Sequence, residues 1–152
     1  MPVVGFAGDG AFGISMNEMV SVGRDEWPPI TMIIFRNYQW GAEKRNTTLW
    51  FDDNFVGTEL DTDVTYAGIA QQCGVKGVQV DGMDALAEAL DKAIEAQMKD
   101  KVTTFIEVVL NQELGEPFRR DAMKKPVSAP QMWLTTLNQR TKVQRHQPRL
   151  DV

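Results

Sequence analysis

The sequence predicts an α/β fold with an open, doubly wound and mostly parallel sheet. Short apolar segments alternate along the chain with segments of helical periodicity, which is the order of elements in such folds. The first two apolar segments are apolar on both faces, as is typical of buried parallel strands. The length of 152 residues suits one domain with a sizeable core.

The first strand is predicted at residues 3–7, an apolar run that includes a glycine. From Phe12 onwards apolar residues recur at helical spacing, and this helix is predicted to end near Gly23. Prolines at 28 and 29 then interrupt the chain. Residues 30–35 are β-branched and apolar, and they form the second predicted strand.

Residues 37–61 show no sustained period, so a long loop is predicted there. A loop of this length inside a compact domain is usually functional or disordered, and its many aromatic side chains argue against plain disorder. The second helix is predicted to begin after a cap at Asp61 or Thr62 and to stop at Gly74.

The third strand is predicted at residues 75–80, a third helix after Asp84, and the fourth strand at residues 103–110. Beyond it the periodicity fades and scattered prolines disfavour a long helix. The predicted organisation is one cofactor-binding domain at residues 1–127 and an irregular basic tail at residues 128–152.

Composition narrows the range of functions. The net charge is −5, with acidic residues in excess before residue 119 and basic residues in excess after it. An acidic body argues against nucleic acid as the main partner. The chain has no apolar run of the roughly 20 residues that span a bilayer, and no signal peptide is recognisable. A single cysteine, Cys73, excludes an internal disulfide. We therefore expect a cytoplasmic protein with no membrane partner.

Gly8-Asp9-Gly10-Ala11 follows the first strand and opens the first helix. Glycines at this place let the backbone approach a ligand, and free N–H groups at a helix start favour phosphate. The segment fits neither a Walker loop nor Gly-x-Gly-x-x-Gly. A carboxylate beside a diphosphate would repel it unless a cation lay between them, so Asp9 predicts Mg²⁺ or Ca²⁺.

Asn37 lies at the end of the next predicted strand, hence at the same edge of a parallel sheet. Its side-chain oxygen is a hard neutral ligand for the same ion, and carbonyls of residues 38–41 could supply a third. Taken alone, Gly-Asp-Gly is often a turn, and an asparagine after a strand is often a cap. Together they predict one magnesium–diphosphate site.

These residues resemble the signature of the thiamine diphosphate enzymes. The resemblance implies that Asp9 and Asn37 bind Mg²⁺ through their side chains and Gln39 through its carbonyl. The family often carries a second asparagine before the ligand asparagine, and this chain has Arg36 there. The implied cofactor contacts, with Gly10 and Ala11 offering N–H groups to the diphosphate, are Gly8, Asp9, Gly10, Ala11, Asn37, Gln39, Trp40 and Gly41.

Within that family, residues 36–46, 50–60 and 111–126 resemble the sulfoacetaldehyde acetyltransferases. The resemblance covers about residues 3 to 127 and implies cleavage of sulfoacetaldehyde by phosphate to give acetyl phosphate and sulfite. Both substrates are anions, so cations are expected to face the site. The candidates are Lys44 and Arg45, then Arg119 and Arg120, with solvated loop charges as the alternative reading for each.

The resemblance also places the activating glutamate on a separate N-terminal domain, in an enzyme whose active sites are shared between subunits of a homo-oligomer. By that reading Met1 is a truncation point, the sheet is truncated at its N-terminal side, and the chain alone is expected to be inactive. Two other functions stay open: the cofactor domain of an acetolactate synthase-like enzyme, and a non-catalytic remnant that binds a partner subunit.

Overall fold

Within residues 1–113, four parallel strands form one central sheet. The computed structural model describes residues 1–113. The strands are β1 (Val4–Gly8), β2 (Thr31–Arg36), β3 (Lys76–Asp81) and β4 (Thr104–Val109). Their order in the sheet is β1-β2-β4-β3, and every neighbouring pair is parallel. The predicted parallel α/β fold is therefore confirmed.

In the described part of the chain, five helices connect and flank these strands. A 3₁₀ turn, Met16–Glu18, precedes α2, and a π-helical turn, Ala96–Asp100, continues α5. None of the helices between residues 1 and 113 is long and apolar enough to cross a bilayer. The helices are α1 (Asp9–Ile14), α2 (Met19–Val22), α3 (Gly41–Trp50), α4 (Tyr66–Gln72) and α5 (Met83–Glu95).

The path of the chain explains why helices cover both faces of the sheet. The connections from β1 to β2 and from β2 to β3 move in the same direction across the sheet. Their helices α2 and α4 pack on one face of the sheet, where Met19 and Ala70 lie against Ile34. The connection from β3 back to β4 runs in the opposite direction. Because parallel crossovers are right-handed, its helix α5 must lie on the other face, where Ala93 packs near Ile106.

Gly77 marks the closest approach between the sheet and a helix. A Cβ atom built on this glycine would lie 2.0 Å from the backbone oxygen of Ala67 in α4. The strand therefore touches the helix backbone directly, and α4 is held at a fixed distance from β3.

Three boundaries differ from the sequence predictions. The first helix, predicted to be opened by Gly8–Ala11 and to end near Gly23, begins at Asp9 but is broken after Ile14 into α1, a 3₁₀ turn and α2. The predicted loop 37–61 contains α3, which buries none of its residues and so lacks the apolar stripe that identifies a helix in sequence. The cap of α4 is Thr65, whose hydroxyl oxygen accepts the Gly68 N–H, and not Asp61 or Thr62. The predicted boundary at residue 127 and the tail 128–152 lie outside the described residues.

Candidate metal and diphosphate site

The carboxyl ends of β1 and β2 lie side by side, with Gly8 in register with Phe35. Asp9 follows β1 directly, and Asn37 follows β2. The edge formed by the carboxyl ends of the strands is where ligands bind in open α/β sheets. The fold therefore brings together the two halves of the predicted site.

Three oxygen atoms converge at this edge, and we call them the oxygen triad: Asp9 Oδ1, Asn37 Oδ1 and the backbone oxygen of Gln39. The Asn37 side-chain oxygen lies 3.3 Å from Asp9 Oδ1 and 3.1 Å from the Gln39 oxygen. In the absence of a cation the amide would turn over and donate two hydrogen bonds to the same oxygens. An octahedral Mg²⁺ with ligands at about 2.1 Å separates neighbouring oxygens by about 3 Å. The triad therefore fits a magnesium ion.

The orientation of the Asp9 carboxylate is fixed from both halves of the site. Asp9 is 2% exposed. Its Oδ1 accepts the N–H of Gly10 at 2.9 Å, and its Oδ2 accepts the N–H of Tyr38 at 2.7 Å. The N–H of Gly10, which was predicted to face a diphosphate, thus donates to the carboxylate in this structure. Clusters of three or more His, Cys, Asp or Glu side chains are absent from residues 1–113, so a metal here depends on neutral oxygens.

Trp40 closes the site from the side of β2. Its ring lies against Gly10, where an added Cβ would come within 3.0 Å of two ring carbons. The Trp40 N–H donates to the Thr58 carbonyl at 2.8 Å, and its own carbonyl accepts the N–H of Lys44 in α3 at 2.9 Å. The ring is therefore packed on the helix start, and Gly41 begins α3 immediately after it.

The residues after β4 fold over the loop that carries the triad. The Gln39 side chain is buried, and its Nε2 donates to the Gln112 carbonyl at 2.9 Å. The Gln112 side chain in turn donates to the Tyr38 carbonyl at 3.3 Å and to Glu59 at 2.9 Å. Gln39 also forms an isolated antiparallel bridge with Glu59. The metal loop is thus held from residues far apart in the chain.

The predicted substrate cations lie in less open positions than expected. Lys44 in α3 forms an ion pair with Glu59, and the lysine hydrogen bond lowers the pKa of that glutamate. The Lys44 side chain is 14% exposed, and its ammonium lies 5.2 Å from the ring centre of Phe55. This charge is already compensated, which weakens Lys44 as an anion ligand. Arg45 follows on the same helix, and Arg119 and Arg120 lie outside the described residues.

A buried ion pair behind the site was missed by the sequence analysis. Arg36 Nη1 lies 2.6 Å from Glu107 Oε1, and the two side chains are 2% and 0% exposed. Both residues stand in otherwise apolar strands, and buried charges are stable only when paired. A charged residue within each of two apolar strands was the sequence signal for such a pair. The pairing itself, however, could be predicted only by knowing that β2 and β4 are neighbours.

Tyr66 links this ion pair to the site. The Arg36 guanidinium lies 5.2 Å from the ring centre of Tyr66 and 4.6 Å from that of Tyr38. The Tyr66 hydroxyl donates to the backbone oxygen of Asp9 at 3.1 Å. Burial, and then the charge of Asp9, raises the pKa of Tyr66, so the hydroxyl keeps its proton as a donor.

Comparison with known proteins gives three results. The sequence model of the family described as "Thiamine pyrophosphate enzyme, C-terminal TPP binding domain" matches residues 1–108. The chain is 75% identical over 128 residues to the probable sulfoacetaldehyde acetyltransferase of Rhizobium meliloti (strain 1021). This alignment covers 84% of this chain and 22% of the relative. It is 69% identical over 127 residues to the sulfoacetaldehyde acetyltransferase of Roseovarius nubinhibens, covering 84% of this chain and 21% of the relative.

Among solved structures, the benzoylformate decarboxylase of Polynucleobacter necessarius superposes with a TM-score of 0.67 at 24% identity, over 76% of this chain and 21% of that one. This likeness shows the shared fold. The chain spans about a fifth of the length of the curated relatives that it matches.

Proposed function

The chain belongs to the thiamine pyrophosphate enzymes, as their C-terminal cofactor-binding domain, and we propose that it binds thiamine diphosphate through Mg²⁺ in a sulfoacetaldehyde acetyltransferase. The observation that carries the metal part of this proposal is the oxygen triad. The Asn37 amide lies 3.3 Å from Asp9 Oδ1 and 3.1 Å from the Gln39 oxygen, so its oxygen, when turned towards them, would complete a set of oxygens spaced for Mg²⁺.

The residues of this chain bind and orient the cofactor. Asp9, Asn37 and the Gln39 carbonyl would hold Mg²⁺, whose charge would offset that of Asp9 towards a diphosphate. Gly8 caps α1 and Ala11 lies in its first turn, on the same segment as Asp9. When bound, thiamine diphosphate supplies the carbanion chemistry that carbonyl cleavage requires.

The substrate part of the proposal rests on the relatives. Both relatives described above are named for sulfoacetaldehyde, and their similarity to this chain is far higher than a shared cofactor fold requires. The proposed reaction converts sulfoacetaldehyde and phosphate to acetyl phosphate and sulfite. We further propose a cytoplasmic homo-oligomer. The proposed ligands of the substrate anions are Lys44 and Arg45, then Arg119 and Arg120; the ion pair of Lys44 with Glu59 would have to open before Lys44 could bind an anion.

Cofactor binding is tested by calorimetry with thiamine diphosphate and Mg²⁺. We expect Asp9→Ala to weaken Mg²⁺ binding at least tenfold, because it removes the charged ligand. The matched control is Asp91→Ala, which removes an exposed carboxylate from α5. Unchanged Mg²⁺ affinity in a folded Asp9→Ala variant would contradict the proposal.

The substrate is tested in a chimera. Residues 1–127 of this chain replace the matching segment of the Roseovarius nubinhibens relative; acetyl phosphate formation is measured with sulfoacetaldehyde and phosphate, and acetolactate formation is measured with pyruvate. We expect activity with sulfoacetaldehyde, and none when Asp9→Ala is added. A folded, cofactor-loaded chimera that uses only pyruvate would favour the acetolactate synthase-like function instead.

A further inference from the structure

We propose that Arg36 and Glu107 are positioning residues for the oxygen triad, and that their ion pair sets the conformation of the loop carrying Asn37 and the Gln39 carbonyl. The inference rests on the proposed function, because it concerns the affinity of the same site for Mg²⁺. The ion pair acts through two tyrosine rings rather than through contact with the metal.

The energetics of the ion pair indicate that it orients neighbouring groups rather than stabilising the fold. Arg36 and Glu107 are almost completely buried and 2.6 Å apart. Because the cost of removing two charges from water offsets much of their attraction, such a pair adds little net stability compared with apolar side chains. A guanidinium is, however, a planar fork with fixed donor directions. Its Nη2 also donates to the carbonyls of Asp61 and Thr62, at 3.0 and 3.4 Å, so the plane of the guanidinium is fixed.

One face of that guanidinium supports the metal loop. Tyr38 lies between Asn37 and Gln39 and has a φ of +60°, a left-handed conformation that a tyrosine keeps only where its surroundings hold it. The Arg36 guanidinium lies 4.6 Å from the Tyr38 ring centre. In this conformation the Tyr38 N–H reaches Asp9 Oδ2 at 2.7 Å. The packing of the ring therefore fixes the directions of the flanking ligand residues.

The same ion pair supports the Asp9 side of the triad. The guanidinium lies 5.2 Å from the ring centre of Tyr66, whose hydroxyl donates to the Asp9 backbone oxygen at 3.1 Å. Glu107 Oε2 accepts the N–H of Ala67 at 2.9 Å, which holds the first turn of α4 in place. Both halves of the metal site thus depend on one buried pair.

The test compares Arg36→Lys and Glu107→Gln with Glu88→Gln, which breaks an exposed ion pair on α5. Mg²⁺ affinity is measured by calorimetry at saturating thiamine diphosphate, and thermal unfolding is followed by circular dichroism without metal or cofactor. We expect both buried variants to bind Mg²⁺ at least tenfold more weakly, as is typical for residues that orient metal ligands. Their spectra should stay native, excess Mg²⁺ should restore binding, and Glu88→Gln should match the wild type.

Tyr38 supplies a second test that avoids substitution in the core. Tyr38→Phe keeps the ring over the guanidinium, whereas Tyr38→Asn removes the ring but tolerates the left-handed conformation. We expect wild-type Mg²⁺ affinity for Tyr38→Phe and a loss of at least tenfold for Tyr38→Asn. Retained affinity in Tyr38→Asn would overturn the inference, even if the buried variants fail to fold.

Wild-type Mg²⁺ affinity in folded Arg36→Lys would also overturn the inference, while leaving the proposed function intact. Failure of the wild-type chain and Glu88→Gln to bind thiamine diphosphate and Mg²⁺ is a different result. It would refute the proposed function, and the inference with it.

Discussion

Replacing Asn37 by aspartate perturbs the oxygen triad with little change in side-chain size. The Asn37 oxygen lies 3.3 Å from Asp9 Oδ1, so Asn37→Asp places a second negative charge at that distance. With an effective dielectric constant of about 20, the repulsion is about 5 kcal/mol. Residue 37 is partly exposed, and water and side-chain rotation reduce this value. We expect the metal-free variant to lose about 2 kcal/mol of unfolding free energy at neutral pH.

The pH dependence of this loss has a defined sign. The charge of Asp9 raises the pKa of the introduced carboxyl above its value in the unfolded chain. Its folded state therefore holds a proton more tightly, and stability falls as the pH rises through the raised pKa. The deficit relative to the wild type should shrink as the pH falls from about 7 towards about 4. Mg²⁺ should reverse the deficit, because it binds the more negative site more tightly.

The assay is urea unfolding at neutral and acidic pH, with and without millimolar Mg²⁺. Asn46→Asp makes the same chemical change on the exposed side of α3 and serves as the control. If Asn37→Asp has the stability of Asn46→Asp at neutral pH, and Mg²⁺ stabilises both equally, the side chain of residue 37 does not face Asp9 and the argument for the triad fails.

Two further predictions concern the support of the site. Gly77→Ala should lower the free energy of unfolding, measured in urea, by about 3 kcal/mol. Its Cβ would lie 2.0 Å from the Ala67 backbone oxygen, and neither backbone can shift without strain. Gln79→Ala, exposed on the same strand, should cost far less, and equal losses would contradict the packing. The pKa of Tyr66 is raised above 10.0 by burial and then by Asp9, so the wild type should lose stability as the pH rises past that value, since the unfolded chain releases the proton first. Tyr66→Phe should lack this loss of stability at high pH, and parallel pH profiles of stability for Tyr66→Phe and the wild type would refute the prediction.

The strands and the two halves of the candidate site could be predicted from the sequence because both follow from short-range patterns. Short, mostly apolar segments identified the four strands of residues 1–113. Since parallel strands end at the same edge, Asp9 and Asn37 were expected to be neighbours, and the structure places them there. The family resemblance read from the same residues is confirmed by the match over residues 1–108.

Helix α3 could not be predicted, since no apolar stripe marks it. It buries none of its residues and is held at its ends by backbone hydrogen bonds, Lys44 N–H to the Trp40 carbonyl and Phe51 N–H to the Thr47 carbonyl. Periodicity reports burial on one face, so a helix that lies open on the surface gives no such signal.

The contacts of the charged residues were also beyond local patterns. Arg36 and Glu107 meet only because β4 inserts beside β2, and that strand order depends on the whole chain. The pairing of Lys44 with Glu59 depends in the same way on how residues 51–60 return to the metal loop. The sequence analysis placed Lys44 near the site, but it did not indicate that this charge was already paired.

The central position of β4 has a consequence for the time course of folding. β2 and β3 each pair with β4 and not with each other, so β3 has no edge to join until β4 is present. During synthesis Asp9 and Asn37 leave the ribosome long before Glu107, and Arg36 stays hydrated until its counter-charge arrives. Such non-local closure is slow. The metal site should therefore be among the last parts of this domain to mature, although Asp9 and Asn37 are made before Glu107.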